Sequence, residues 1–325
     1  MNMNRREMYL NSKKRFSLRK FLEIYFVYFW FRVWVFWVKH VSLESLGFYG
    51  EKLATIAFYF LIKPRRIALN NLHLALGKEK SKEEIKRICR DSFKNIGRTM
   101  MEISRSSEFD LKTFVRLDGK EHLDKALKQG KGVIALSAHL GNFPLMNVRL
   151  VNEGYPLSMV IKGSKNPKIV KVMNSLIDYT GMESIPDKPR ATCISRCLKA
   201  LKRNRILWLQ IDINAPGTEA WVDFFGYLVP TFKGPVIFSL RTGAPILPMF
   251  ITRNPHHFHN LIIHPPFELN GSETNQEDIT SNIARLTKIV ERMIREYPEQ
   301  WWWAHQRFKR ARDIQTGESL FHKHP

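Results

Sequence analysis

The sequence predicts an α/β fold: a mostly parallel central sheet flanked by helices, preceded by an N-terminal hydrophobic membrane-associating helix. Three observations predict it. Continuous apolar runs at residues 133–137 and 206–211 have the pattern of strands buried on both faces. Stretches with apolar residues at helical spacing alternate with them, and that alternation implies parallel strands covered on both sides. Ahead of both lies an aromatic apolar segment, residues 24–38, with basic residues on either side.

The N-terminal segment comes first. Arg5, Arg6, Lys13, Lys14, Arg15, Arg19 and Lys20 stand against the single acid Glu7 in residues 1–20. No small-residue cleavage site follows the apolar segment, which argues against a removed signal peptide. The uninterrupted apolar run falls short of the ~20 residues of a clean span. Arg32 inside it would cost about 2.5–3.5 kcal/mol at mid-bilayer. A second, weaker run at 53–62 ends in Lys63, Pro64, Arg65 and Arg66. With basic groups on both sides, the segment reads as an interfacial or partly inserted anchor; a buried core helix and a single span are the alternatives.

Ser81 and Glu84 form a capping box that opens a helix toward Arg105. Residues 119–127 read as a short helix. Gly130 and Gly132 then turn the chain into the strand 133–137, and a helix starts near Asn142. Strand 157–161, helix 167–179, helix 190–203 and strand 206–211 follow. A short helix at 234–242 precedes strands at 245–252 and 260–264. Ile279, Ile283, Leu286, Val290, Met293 and Ile294 recur at helical spacing, so their segment packs one face on the core. The chain divides into a basic, hydrophobic anchor region (1–62), an α/β domain (63–312) and a flexible tail (313–325).

At 325 residues, 44% hydrophobic and 25% charged, the chain can bury a sizeable core, which excludes wholesale disorder. Its 52 Lys and Arg against 30 Asp and Glu give a net charge of +22. That balance points to a polyanionic partner: nucleic acid, an anionic membrane face or an acidic carrier protein. No zinc-finger spacing, RNP-like signature or basic zipper supports nucleic acid. The sparse, odd set Cys89, Cys193 and Cys197 argues against a disulfide scaffold and reads as reduced packing thiols.

Ser137-Ala-His139-Leu-Gly-Asn142-Phe-Pro sits where a buried strand ends and a helix begins. Ligands of open α/β sheets bind beyond the carboxyl ends of strands, so His139 is placed for chemistry. Gly141 permits close backbone approach, and the helix start offers N–H groups to an anion. A structural histidine satisfied by hydrogen bonds is the bland reading. Asp212 ends the later strand. Val222-Asp-Phe-Phe-Gly226, Thr231-Phe-Lys-Gly234-Pro, Arg241 through Pro248, and Arg253 follow, and the chain closes on Trp301-Trp-Trp-Ala-His305-Gln-Arg307-Phe-Lys309. His256, His257 and His259 tempt a metal reading but sit in an expected hairpin loop without neighbouring acids in sequence.

In their order and spacing these residues, with Pro64-Arg-Arg-Ile-Ala-Leu-Asn-Asn-Leu, resemble the bacterial lipid A biosynthesis acyltransferases, relatives of the lysophospholipid acyltransferases. The resemblance covers about residues 60–312. It implies a membrane-associated enzyme, on the cytoplasmic face of the bacterial inner membrane, that needs no cofactor or metal. The donor would be acyl carrier protein or acyl-CoA, and the acceptor a glycolipid or lysolipid. In that family a histidine, separated by four residues from an Asp or Glu, deprotonates the acceptor hydroxyl. Here the histidine is His139, but the acid position holds Pro144. Asp212 is the expected substitute; its bland reading is a loop-capping carboxylate, and Asp223 and Glu219 are further candidates. A non-catalytic lipid-binding relative is the alternative that Pro144 opens. The resemblance also marks Asn142, Lys162, Phe225, Gly226, Lys233, Gly234, Arg241, Arg253 and Arg307 as substrate-binding, against a solvated face for the basic ones. Lys162 stands where the family usually has Arg, which keeps a point charge but loses bidentate geometry.

Overall fold

The computed structural model describes residues 33, 37–38, 40–43, 45–162, 181–215, 220–272 and 274–320. The chain forms two compact units, Met1–Leu46 and Gly47–Pro325. Most of the anchor segment at 24–38 and the whole helix expected at 167–179 lie outside the described residues. Among the described residues no helix is long and apolar enough to cross a membrane.

The second unit opens within α1 (Leu46–Phe60) and continues with α2 (Ile62–Leu76) and α3 (Lys82–Ser104). The Ser81 hydroxyl accepts from the Glu84 N–H and the Glu84 carboxylate from the Ser81 N–H, so the capping box forms as expected. α1 and α3 cross at two glycines. A Cβ on Gly50 would sit 2.7 Å from the Gly97 carbonyl oxygen, and one on Gly97 would fall 2.6 Å from the Ala54 Cβ. Gly97→Ala is therefore expected to force the helices apart and cost about 1–3 kcal/mol. A thermal melt reads this, and an unchanged midpoint would show that the crossing gives way easily.

The main sheet has seven strands in the order β1-β9-β8-β2-β5-β3-β4. They are β1 (Val115–Asp118), β2 (Val133–Ser137), β3 (Leu157–Ile161), β4 (Glu183–Pro186), β5 (Ile206–Gln210), β8 (Ile246–Arg253) and β9 (His259–Ile263). All neighbours run parallel except β8 and β9, which form an antiparallel hairpin. The helices before, between and after them are α4 (Leu111–Phe114), α5 (Lys120–Leu127), α6 (Phe143–Asn152), α7 (Arg190–Lys202), α8 (Gly234–Thr242) and α9 (Gln276–Glu296). Alternate residues of one strand feed two separate cores, as a sheet covered on both faces requires. Ile134 and Leu136 join Leu72, Ile85, Ile283 and Leu286 on one face. Val133 and Ala135 join Leu123, Leu145 and Leu150 on the other.

A second, three-stranded sheet has the order β10-β7-β6. In it β6 (Ala220–Phe224) and β7 (Tyr227–Thr231) pair antiparallel around Phe225 and Gly226, whose φ angles are +55° and +81°. Two left-handed residues in succession are what a tight two-residue hairpin turn requires. β10 (Arg312–Asp313) pairs with β7. The tail expected to be flexible from 313 is thus folded as far as Leu320. The Asp313 carboxylate accepts the Gln315 and Thr316 N–H groups, and the Leu320 N–H returns to the Ala311 carbonyl.

Candidate active site

The site lies at the carboxyl edge of the central strands. β2 and β5 are parallel neighbours in a register that sets Ser137 beside Gln210. His139 and Asp212 each lie two residues beyond those positions, so the sheet itself brings them together. Asp212 Oδ1 is 3.0 Å from His139 Nδ1, and Oδ2 accepts the His139 backbone N–H at 2.7 Å. The Trp301 indole N–H donates to the same Oδ2 at 2.8 Å. The Asp212 side chain is 1% exposed and that of His139 15%. Burial pushes the Asp212 carboxyl up, but the imidazole beside it and its three hydrogen-bond donors outweigh that and hold it down at about 2. It is a carboxylate at neutral pH. With Nδ1 engaged by Asp212, Nε2 is the nitrogen left to meet a substrate proton.

The imidazole sits between two aromatic rings, Phe143 at 4.9 Å and Trp302 at 5.6 Å between centroids. The Trp302 backbone N–H donates to the His139 carbonyl. Trp301 and Trp303 are core residues, whereas Trp302 is 40% exposed beside the histidine. Gly141, at φ +58°, lies so close to the Ile251 carbonyl that a Cβ would collide with it. That contact seats the loop on the end of β8. Pro144 falls in the first turn of α6, where its missing N–H costs nothing. The position that the resemblance reserves for an acid is therefore occupied by a helix-starting residue, and the carboxylate reaches His139 from β5.

The other expected site residues scatter. Asn142 is fully buried; its side-chain oxygen caps α6 by accepting the Leu145 N–H. Lys162 is exposed one residue past β3, on the same edge as His139. α8 ends where β8 begins, so its start, Lys233 and Gly234, points toward the site edge. Its last turn carries Arg241 to the opposite edge. Lys233 Nζ donates to Gln276. Phe225 and Gly226 make the hairpin turn. Asp223 accepts the Gly226 N–H and pairs with Lys288 at 2.8 Å, so it is engaged on the hairpin; Glu219 lies outside the described residues.

Arg253 and Arg307 are not on a solvated face. Arg307 is 0% exposed and donates to the Ile213 and Pro230 carbonyls and to the Thr231 hydroxyl. Burial pulls its guanidinium down to about 10, against the pull of Asp212. It straps the loop after Asp212 to β7. Arg253 is an internal partner of Glu102. His259 begins β9 and is buried against the same Glu102, an acid 157 positions away that sequence proximity could not show. Among the described residues no group of His, Cys, Asp or Glu is arranged to hold a metal.

Sequence reasoning missed Trp301 as a donor to Asp212, and it missed the buried polar groups behind the His139 loop. A signal existed for the second. Ser92, Asn95, Thr99 and Glu102 share one face of α3 and are all buried, so their spacing announces a polar stripe aimed inward.

A buried carboxylate bonded to a histidine thus lies at the carboxyl edge of the parallel sheet, where open α/β sheets bind their ligands. The chain belongs to the bacterial lipid A biosynthesis acyltransferase family, whose sequence model matches residues 13–310, and it is an acyltransferase. It is 24% identical over 298 residues to the lipid A biosynthesis palmitoleoyltransferase of Escherichia coli, covering 90% of this chain and 94% of that one. It is 23% identical over 295 residues to the lauroyltransferase of the same organism, covering 86% and 90%. Over 166 residues it is 26% identical to a phosphatidylinositol mannoside acyltransferase of Mycobacterium tuberculosis, covering 48% and 52%.

Proposed function

We propose that this acyltransferase moves a fatty acyl group from an acyl thioester, on acyl carrier protein or CoA, to a hydroxyl of a glycolipid or lysolipid at a membrane surface. The observation that carries the reading is the 3.0 Å contact of Asp212 with His139 Nδ1. It leaves Nε2 to take the acceptor hydroxyl proton as the oxygen attacks the thioester carbonyl. Asp212 stabilises the resulting imidazolium. Collapse of the tetrahedral intermediate breaks the carbon–sulfur bond, and the imidazolium returns its proton to the departing thiolate. The relatives' names, lipid A and phosphatidylinositol mannoside acyltransferases, favour a glycolipid acceptor. Pro144 alone suggests a non-catalytic relative, and the carboxylate at His139 removes that reason.

The membrane part of the reading rests on the basic and aromatic sequence of residues 1–40, and the exposed apolar side chains of α1 and the start of α2 add to it. Phe48, Ile56, Tyr59, Phe60 and Ile62 are each more than half exposed, beside Lys52, Lys63, Arg65 and Arg66. An apolar strip bordered by cations suits an anionic lipid surface. The reaction is tested by incubating the protein and total lipid extract with acyl carrier protein or CoA that bears a radiolabelled acyl chain. Label entering a glycolipid supports the reading; lipid binding without transfer sinks it. Deleting residues 1–40 is expected to shift the protein from liposome-bound to soluble or aggregated fractions in a flotation assay. A truncated protein that floats as before would assign binding to other surfaces.

A further inference from the structure

A second buried carboxylate lies behind the His139 loop, on the side away from Asp212. Glu102 comes from α3. Its Oε2 accepts the Asn142 side-chain N–H at 2.8 Å and faces His259 Nε2 at 3.0 Å, and its Oε1 pairs with Arg253. Burial pushes Glu102 up, but the His259 hydrogen bond and the Arg253 charge outweigh it and hold the group down at about 2. Burial pushes His259 down, against the hydrogen bond to Glu102, and the Arg253 guanidinium pairs with the Glu102 carboxylate.

Two chains of contacts run from this cluster to the reacting pair. Asn142 carries the first: one end of its amide is held by Glu102, and the other caps α6, whose first residue, Phe143, packs on the His139 ring. Arg253 carries the second. Its backbone N–H and carbonyl both bond the Gln300 side chain, at 2.7 and 2.9 Å. The Gln300 carbonyl in turn accepts the Gly141 N–H at 2.9 Å, beside His139. The next residue, Trp301, donates to Asp212 and bridges to Leu140. Asn95 closes the network by donating to the Gln300 carbonyl.

We propose that Glu102 is a positioning residue for acyl transfer: through Asn142, and through Arg253 and Gln300 to Trp301, it fixes both members of the His139–Asp212 pair. The inference rests on the reading of that pair given above. Burying an ion pair is costly, and well-packed apolar residues would stabilise the fold as well or better. What apolar residues would not supply is directional hydrogen bonding to the loop that carries the base. Transfer needs His139 Nε2 placed to within a fraction of an ångström, and small displacements cost about 10²-fold in rate.

Glu102→Gln keeps the shape and an acceptor for Asn142 but removes the charge that holds Arg253. It is expected to lower kcat about 10–10²-fold, with KM for donor and acceptor unchanged within about twofold. The downfield proton resonance of the His139–Asp212 hydrogen bond should shift or vanish. Asn142→Ser is the second variant: serine still caps α6 well but lacks the amide that reaches Glu102, and the ion pair stays intact. It should lose kcat in the same way, and it decides the matter if Glu102→Gln does not fold. A folded variant of either kind with wild-type kcat and an unshifted resonance overturns the proposal. His139→Ala in the same assay keeps the two readings apart. If that variant turns over normally, the reading of the pair has failed; if it is dead while both other variants are normal, Glu102 alone is excluded.

Discussion

Replacing His139 with alanine is expected to lower acyl turnover by about 10²–10⁴-fold while leaving the fold intact, the scale on which a positioned general base contributes. The fold should survive because Asp212 keeps two of its three donors. The backbone N–H of residue 139 is unchanged by the substitution, and the Trp301 indole does not depend on the imidazole. The small void left between Phe143 and Trp302 opens toward the surface, since Trp302 is 40% exposed. KM should move little, because the ring is placed to take a proton and not to bind a chain. Steady-state transfer rates with a matched thermal melt check this. A folded variant with near-full activity removes His139 from the mechanism.

How far the sequence announces this site depends on which interactions are local. β2 and β5 are legible because a strand buried on both faces is apolar at nearly every position, and residues 133–136 and 206–209 are apolar without a break. Once they are neighbours, the pairing of Ser137 with Gln210 carries His139 and Asp212 to the same height. The pair was therefore within reach of reasoning from strand ends, although adjacency of β2 and β5 is a property of topology. β1 and β4 were not legible. Val115–Asp118 and Glu183–Pro186 are four residues long and carry charges at the sheet margins, so only their partners make them strands. The β6–β7 hairpin hid for another reason: its turn is Phe225-Gly226, and a phenylalanine at φ +55° is not a residue that turn chemistry would nominate. Arg253 and Arg307 show the limit most clearly. Sequence assigns each of them a charge but no depth. Each finds a buried partner through the fold, Glu102 for one and backbone carbonyls for the other.

Asp212→Asn is expected to cost about 10⁴-fold in turnover, the scale of the corresponding change in a serine protease triad. It should leave the fold intact at a modest cost in stability, and the reason for the loss of turnover is a matter of which atoms can donate. Oδ2 accepts two N–H groups, from the His139 backbone and from Trp301. Neither donor can accept, so an asparagine must turn its amide oxygen to them and its NH2 group to His139 Nδ1. That nitrogen is then forced to act as an acceptor, which moves the ring proton to Nε2. The nitrogen that should take the hydroxyl proton already carries one. Loss of the carboxylate also removes the charge that would stabilise the imidazolium. The fold survives because the amide oxygen meets the same donors, but it loses the net attraction by which the donors and the imidazole outweigh desolvation of the carboxylate. Asp212→Glu would restore the charge on a longer arm, and partial recovery is expected only where Glu can still meet both donors. A transfer assay beside a melt separates these effects. An Asp212→Asn variant within tenfold of wild-type turnover would show that His139 works unaided and that Asp212 merely caps its loop.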